Sequence, residues 1–229
     1  MVGLYNLGTP ANGAPRKRNV FFSFHYADIM RVNNVRLCGE FKGSSPADVL
    51  YGPTKRSIEG FYDKSLWESR KLDGPDALKN LIRDGVKNTS VVCLLVGSHS
   101  YSRRWVRYEV ARSVIDGKGL VAIHINSIRH HQPPYAAHAR GTNPAFCMGI
   151  AKRDNGNFYL CELNFLNGSW VWHWYTDYIS AVPIPRYMRA PELNNPLRLS
   201  DFTREYDWSQ GGHNNIGSWL DMAAQDAGR

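Results

Sequence analysis

The chain has 229 residues, of which 43% are hydrophobic, so it is long and apolar enough for one domain with elaborations around a real core. Residues 1–15 lack the apolar run of a signal peptide, and no run of about 18 apolar residues occurs elsewhere, so we expect a cytoplasmic protein. The formal charge of +8 suits an anionic partner, such as a nucleic acid, a membrane surface or a phosphate-bearing small molecule.

The N-terminal third of the chain contains the first predicted elements. Residues 1–17 are rich in Gly, Pro and Asn and are predicted to form a flexible N-terminal extension. The apolar run Val20–Phe24 predicts a buried strand, and a helix is expected from Ala27 to about Leu37. Residues 38–60 contain Gly-Ser-Ser-Pro and Tyr-Gly-Pro, which are loop signals, so they are predicted to form an insertion. Gly60–Asp63 is a candidate second strand.

The middle of the chain alternates helices and strands. Apolar residues at helical spacing predict a helix after Gly74, and Ser90–Val96, apolar nearly throughout, predicts a strand covered on both faces. A helix at Arg104–Ile115 and a strand at Leu120–Ile125 follow. This alternation predicts a flavodoxin-like, doubly wound parallel sheet over residues 18–127, in which the third strand lies between the first and the fourth.

The pattern changes in residues 128–229, which are predicted to form a C-terminal appendage packed on the same core. Two strand-like runs, Phe158–Leu163 and Trp170–Trp174, flank Asn167-Gly168, which is a strong hairpin signal. The alternating tryptophans of the second run share one face, which favours a small core over a ligand platform. A helix at Ile216–Ala224 closes the chain.

The sequence carries no common cofactor or metal motif. It contains no Walker loop, GxGxxG, HExxH or GxSxG pattern, which argues against the corresponding enzyme classes. The cysteines show no paired metal-ligand spacing. We therefore expect no disulfide, no metal and no bound cofactor. The cysteines are Cys38, Cys93, Cys147 and Cys161.

Several candidate site residues follow the predicted strands. Ligands of doubly wound sheets lie beyond the carboxyl ends of the strands, and this edge gathers Ser23, His25, Trp67 and Ser98 around one crevice. Three of them have an alternative structural role. Ser23 could be a core hydroxyl, His25 could merely end its strand, and Trp67 could pack under its loop. His124, within a strand, is interpreted as a core histidine.

Trp105 and Glu109 are four residues apart, so they share one face at the start of a predicted helix. A carboxylate placed there can meet a ribose and stabilise the oxocarbenium-like transition state of glycosidic cleavage. The alternative is a solvated helix glutamate paired with Arg112 or Ser113, and spacing alone favours this alternative.

Three arginines stand near Glu109 in the sequence, at positions Arg103, Arg104 and Arg107. They could hold a pyrophosphate through bidentate hydrogen bonds. The alternative is a solvated helix start, which we favour for at least two of the three. Arg16–Arg18 is also interpreted as a solvated entry to the first strand, because charge alone gives only non-specific attraction to nucleic acids.

The segments VFFSFHYAD, SLWE, NTSVVCLLVGS and RRWVRYEV, in this order, resemble the TIR-like subunit, ThsB, of Thoeris anti-phage systems. More broadly, Lys17–Tyr26 resembles the first strand of TIR domains, and Ser98–Glu109 resembles the segment that holds their catalytic glutamate. The resemblance extends over roughly residues 17–126 and returns weakly near Arg204–Trp208 and Ser218–Leu220.

The resemblance implies an enzyme that cleaves NAD⁺ at the nicotinamide–ribose bond. The product would be a cyclic ADP-ribose isomer or another ADP-ribosyl signal that diffuses to a downstream effector during phage infection. Glu109 would be the catalytic residue, and the expected substrate-binding residues are Phe22, Ser23, His25, Trp67, Ser98 and Trp105. NAD⁺ is then a substrate rather than a cofactor, and neither a membrane nor a specific nucleic acid is expected as partner.

Two other interpretations stay open. The first is a non-catalytic TIR-like module that signals by self-assembly or binds a nucleotide as a sensor. The second is a basic protein associated with nucleic acid. The presence of Glu109 in its expected context favours the enzyme. The linkage of the product, a phage-derived trigger and a homo-oligomeric state are not specified by the sequence.

Overall fold

A computed structural model describes residues 19–36, 38, 74–133 and 136–229. The predictions for the N-terminal extension, for nearly all of the 38–60 insertion, for the strand at residues 60–63 and for Trp67 lie outside these residues. Within them the chain runs through β1 (Val20–Phe24), α1 (Ile29–Arg36), α2 (Pro75–Lys87), β2 (Val91–Val96), α3 (Arg104–Ile115), β3 (Gly119–His124), β4 (Met148–Lys152), β5 (Phe158–Leu166), β6 (Ser169–Trp174), β7 (Leu197–Arg198), β8 (Arg204–Asp207) and α4 (Gly212–Asp226).

The first sheet is parallel and has the order β1-β2-β3-β8. Its centre is β2, and all six residues of β2 and all six of β3 are buried. Their continuous apolar runs fit strands that are covered on both faces. The prediction that the Val91–Val96 strand lies between its neighbours in a parallel sheet is confirmed.

Helices cover both faces of this sheet. One face packs against α2 and α3, with Ile82 and Val110 among the buried residues of that layer. The other face packs against α1 and α4, with Val32 and Leu220 in the buried layer. Alternate residues of each strand therefore enter different cores, and the architecture is the predicted doubly wound α/β fold.

The second sheet is antiparallel, with the order β6-β5-β4-β7. The predicted hairpin joins β5 to β6, and both turn residues have positive φ, 49° at Asn167 and 82° at Gly168. Positive φ at both central positions is the geometry that favours Asn-Gly in tight hairpins. Met148 and Leu160 of this sheet belong to the same buried cluster as α2 and α3, so the two sheets share one core.

The chain returns to the parallel sheet after the antiparallel one. β8 pairs in parallel with β3, and α4 packs on the sheet through Ile216, Trp219 and Leu220. The sequence pattern predicts the helix, as part of the appendage, but not β8. This polar segment lacks an apolar run because it forms the edge of the sheet. None of the helices in the described ranges is long and apolar enough to cross a membrane.

Candidate active site at the carboxyl ends of the parallel strands

A buried carboxyl group lies at the interface between β1 and α3. Ser23 Oγ donates a hydrogen bond to Oε2 of Glu109, with an oxygen–oxygen distance of 2.5 Å. Both residues are buried, Ser23 at 1% exposure and Glu109 at 9%. Ser23 alternates with Phe22, so its side chain faces α3 while its backbone remains in the sheet.

Burial changes the acidity of this carboxyl group. Desolvation raises the pKa of Glu109 from 4.5 to about 8, and the hydrogen bond from Ser23 acts weakly in the opposite direction. At neutral pH the free protein therefore holds most of Glu109 in the neutral acid form. A positive charge that enters the site would strongly favour the ionised form of such a buried carboxyl group.

The solvated-helix alternative for Glu109 is wrong. Arg112 does not pair with Glu109, because its guanidinium bonds Asp116 at 2.5 Å one turn further along α3. The Ser113 hydroxyl donates to the backbone carbonyl of Val110 at 2.7 Å. Both proposed surface partners are thus engaged elsewhere, and the glutamate side chain enters the core beside Ser23.

Phe22 and Trp105 are two further predicted pocket residues. Neither lies beside the Glu109 carboxyl group as Ser23 does. Phe22 is 2% exposed and lies in the core between the sheet and α1 and α4, because adjacent strand residues face opposite sides. Trp105 is partly buried at the start of α3. It contacts the edge of Tyr108, and the Arg104 guanidinium lies 4.9 Å from its ring centroid.

His25 directly follows β1 and stands at the carboxyl edge of the sheet. Its carbonyl accepts a hydrogen bond from the Asp28 backbone at 2.8 Å and starts a short 3₁₀ helix. Burial and the positive charge of Arg103 lower the pKa of its imidazole below 6.5. His25 is therefore a mostly neutral imidazole at pH 7, able both to donate and to accept a hydrogen bond.

Ser98 follows β2 at the same edge, and its hydroxyl contacts a residue that the sequence analysis missed. Ser98 Oγ lies 2.6 Å from Nδ1 of His138 and 3.0 Å from the carbonyl of Ala139. His138 Nε2 lies 3.0 Å from Oδ1 of Asp28. No sequence motif links these residues, since His138 comes from the long connection between β3 and β4.

Two glycines allow the segments at this edge of the sheet to pack closely against each other. A Cβ on Gly97 would lie 2.0 Å from the Asp28 carboxylate, and a Cβ on Gly141 would lie 1.9 Å from the carbonyl oxygen of Gly97. Only glycine permits such close approach of backbone and side chain. The connection between β3 and β4 is thereby held directly against the end of β2.

The arginines near Glu109 have mixed outcomes. Arg104 bonds both oxygens of Asp177, and Arg107 bonds Glu162 at 3.1 Å. Arg103 and Arg104 are exposed, as expected for a solvated helix start, although Arg104 also forms an ion pair; Arg107 is the partly buried one of the three. These pairs tie α3 to the segment that carries the antiparallel sheet, while Arg103 is exposed.

The remaining polar and thiol groups are mainly structural. His124 is 1% exposed, and its Nε2 lies 2.8 Å from Glu205, which fits the interpretation as a core histidine. All four cysteines are buried free thiols. The part of the chain that the structure describes holds no group of three His, Cys, Asp or Glu residues suited to a metal ion.

The parallel sheet with its two helical layers defines a TIR-like α/β domain, and the buried carboxyl group lies between β1 and α3. Residues 21–130 match the family described as Thoeris protein ThsB, TIR-like domain. The chain is also 35% identical over 209 residues to "Putative cyclic ADP-D-ribose synthase ThsB1" of Bacillus cereus (strain MSX-D12), covering 89% of this chain and 98% of that protein. The chain belongs to the ThsB family of TIR-like Thoeris proteins.

Proposed function

We propose that this protein cleaves NAD⁺ between nicotinamide and ribose and converts the ADP-ribose part into a cyclic ADP-ribose-type signal. The signal would activate an effector in anti-phage defence. The observation that carries the proposal is the buried Glu109 carboxyl group, hydrogen-bonded to Ser23 at the ligand-binding edge of the sheet. The name of the Bacillus cereus relative supports the same activity class.

Glu109 is suited to a substrate whose reacting end is cationic. In the free protein burial keeps the carboxyl largely protonated, since its pKa is about 8. The positively charged nicotinamide ring of NAD⁺ would favour the carboxylate form, because a nearby opposite charge lowers the pKa of an acid. Ionisation would then be coupled to binding. As nicotinamide leaves, the carboxylate would stabilise the positive charge that develops on the ribose.

Ser23 is proposed to position this carboxyl group. Its hydroxyl binds Oε2, so Oε1 is the oxygen assigned to the substrate ribose. A single hydrogen bond from a buried side chain restricts rotation of the carboxyl group, which reduces the reorganisation needed during reaction.

His25, Ser98 and Trp105 complete the proposed pocket at the ends of β1 and β2 and the start of α3. His25 offers a neutral imidazole to the polar parts of the nucleotide, and Trp105 offers an aromatic face. Phe22 would support the site from the opposite core. Trp67, outside the described residues, stays a predicted pocket residue.

The test compares nicotinamide release by the wild-type protein and by Glu109→Gln. Both are incubated with NAD⁺ and an extract of phage-infected cells that serves as the trigger. Glutamine keeps the size but cannot ionise, so we expect the rate to fall by about 10² or more. The matched control is Glu192→Gln, the same chemical change at an exposed position, which should keep the wild-type rate.

Melting temperature provides the folding control. A folded Glu109→Gln variant that releases nicotinamide at the wild-type rate would remove Glu109 from the mechanism. If the triggered wild-type protein releases no nicotinamide, the non-catalytic signalling or sensing module becomes the better interpretation.

A further inference from the structure

Apart from the Glu109–Ser23 pair, three side chains form a hydrogen-bonded chain at the carboxyl ends of β1 and β2. Asp28 Oδ1 lies 3.0 Å from His138 Nε2, and His138 Nδ1 lies 2.6 Å from Ser98 Oγ. The side chain of Asp28 is 7% exposed and that of His138 is 25% exposed. The chain thus leads from a buried carboxylate to a partly exposed hydroxyl at the carboxyl end of β2.

The hydrogen bonds of this chain are satisfied in two protonation states. With a neutral imidazole, Nε2–H donates to the Asp28 carboxylate, and Nδ1 accepts the proton of the Ser98 hydroxyl. With a protonated imidazole, Nδ1–H donates to Ser98 Oγ, and the Ser98 hydroxyl turns to the Ala139 carbonyl, 3.0 Å away. A proton can therefore enter the chain without leaving an unpaired polar group.

The surrounding structure holds the three residues in place. Arg31 of α1 donates to the carbonyls of Ile128 and Ala136 at 2.9 and 3.1 Å, which fixes the connection that carries His138. Arg31 also lies 3.9 Å from Asp28 Oδ1. Asp28 is the ion-pair partner of His138, and it also raises the pKa of His25 against the larger lowering effects of burial and Arg103.

We propose that Asp28, His138 and Ser98 form a proton relay that accepts the proton of the hydroxyl group attacking the ribosyl cation. This inference rests on the proposed cleavage of NAD⁺. Glu109 stabilises the positive charge in that scheme, whereas the relay takes up the proton released when the new bond forms. The two sets of residues thus serve different parts of one reaction.

The step balances in atoms and charge. The bond between C1′ and the nicotinamide nitrogen breaks, and neutral nicotinamide leaves with the electron pair. The attacking hydroxyl oxygen forms a bond to C1′ and passes its proton to Ser98 Oγ, while the proton of Ser98 moves to His138 Nδ1. Histidinium then releases one proton to solvent through its exposed part, so each turnover yields one proton.

The attacking hydroxyl belongs either to the ADP-ribose part, which gives a cyclised product, or to water, which gives free ADP-ribose. The experiment measures both products and nicotinamide for His138→Gln, Asp28→Asn and Ser98→Ala, with NAD⁺ as substrate. The matched control is His131→Gln, an exposed histidine on the same connection that should behave as the wild type.

We expect His138→Gln to lower kcat by about 10²-fold with little change in KM, as loss of a general base does. If the relay serves the ADP-ribose hydroxyl, the remaining product shifts towards free ADP-ribose. If the relay serves water, the remaining product shifts towards the cyclised form. A folded His138→Gln variant with wild-type kcat and product ratio would overturn the relay.

A second measurement does not depend on turnover. Nuclear magnetic resonance of ¹⁵N-labelled histidine should show His138 as the Nε2–H tautomer in the wild-type protein, and Asp28→Asn should reduce that preference. An Nδ1–H tautomer in the wild-type protein would overturn the relay. If the wild-type protein shows the Nε2–H tautomer but releases no nicotinamide, the proposed cleavage fails, and with it the relay's role in that reaction.

Discussion

β2 and β6 are both rich in apolar and aromatic residues, yet the fold uses them differently. β2 lies between two strands and two helical layers, and all its residues are buried. β6 lies at the edge of its sheet, with Trp170 43% and Trp174 44% exposed. Burial thus depends on the number of layers around a strand as well as on its composition. The expectation that the β6 tryptophans form a small core is wrong for these two residues.

The difference between the two sheets bears on the proposed function. Ser23 and Glu109 belong to the fully covered sheet and its helical layer, where both are buried and hydrogen-bonded to each other. The antiparallel sheet contacts this layer through the ion pair between Glu162 and Arg107 on α3. One region thus holds the groups proposed to react, and the other contacts the helix that carries the carboxyl group.

Leu95 and Leu166 provide the sharpest test of this comparison, because the same substitution can be made in both sheets. Leu95 is fully buried in β2, whereas Leu166 at the end of β5 is 47% exposed. We expect Leu95→Ala to lower the free energy of unfolding by about 2–5 kcal/mol, since it leaves a cavity. Leu166→Ala should change it by about 0.5 kcal/mol. Urea denaturation measures both, and equal losses would show that the two sheets are equally well packed.

The Glu109→Gln variant should also show how much the burial of the carboxyl group costs. The folded pKa of about 8 lies above the ordinary 4.5, so the folded state binds more protons between these values. Wild-type stability should therefore fall as pH rises through this window, whereas the glutamine variant has no such dependence. Between about pH 5 and pH 8, the free energy of unfolding of the variant should rise by about 1–3 kcal/mol relative to that of the wild type. Denaturation curves at several pH values measure this gain, and a gain independent of pH would contradict the raised pKa.

Arg107 and Arg104 test the restraint from the second sheet. The Arg107 side chain is 13% exposed and its removal leaves Glu162 and Asn164 without this partner. Arg107→Met should therefore cost about 1–2 kcal/mol. The Arg104 side chain is 56% exposed, and Asp177 keeps Lys79 at 2.9 Å, so Arg104→Met should cost about 0–1 kcal/mol. Melting temperatures of the two variants compare them directly, and the opposite ranking would mean that the exposed pair restrains α3.

The doubly wound core could be predicted from the sequence because its strands are continuous apolar runs and its helices have regular apolar spacing. The edge strand β8 could not, since Arg204–Asp207 gains its strand geometry from pairing with β3. Tertiary pairing of this kind leaves no local apolar pattern.

The candidate site was predictable in part. Glu109 and Ser23 were each identified from their positions, but their hydrogen bond joins residues 86 positions apart. Spacing within α3 favoured a solvated glutamate, because a local pattern does not show which helix face meets a strand. The contact of Ser98 with His138, 40 positions away, depends on how the connection after β3 folds back. The sequence carries no local signal for that path.

The return of the chain to its first sheet has a consequence for biogenesis. β3 acquires its outer neighbour and its covering helix from residues 204–226, after the antiparallel sheet has been made. A nascent chain that has emerged only to residue 200 leaves the apolar residues Val121 and Ile123 uncovered by α4. Ribosomal synthesis must deliver these last segments before the parallel sheet is covered on both faces, which leaves a long interval open to chaperones and proteases.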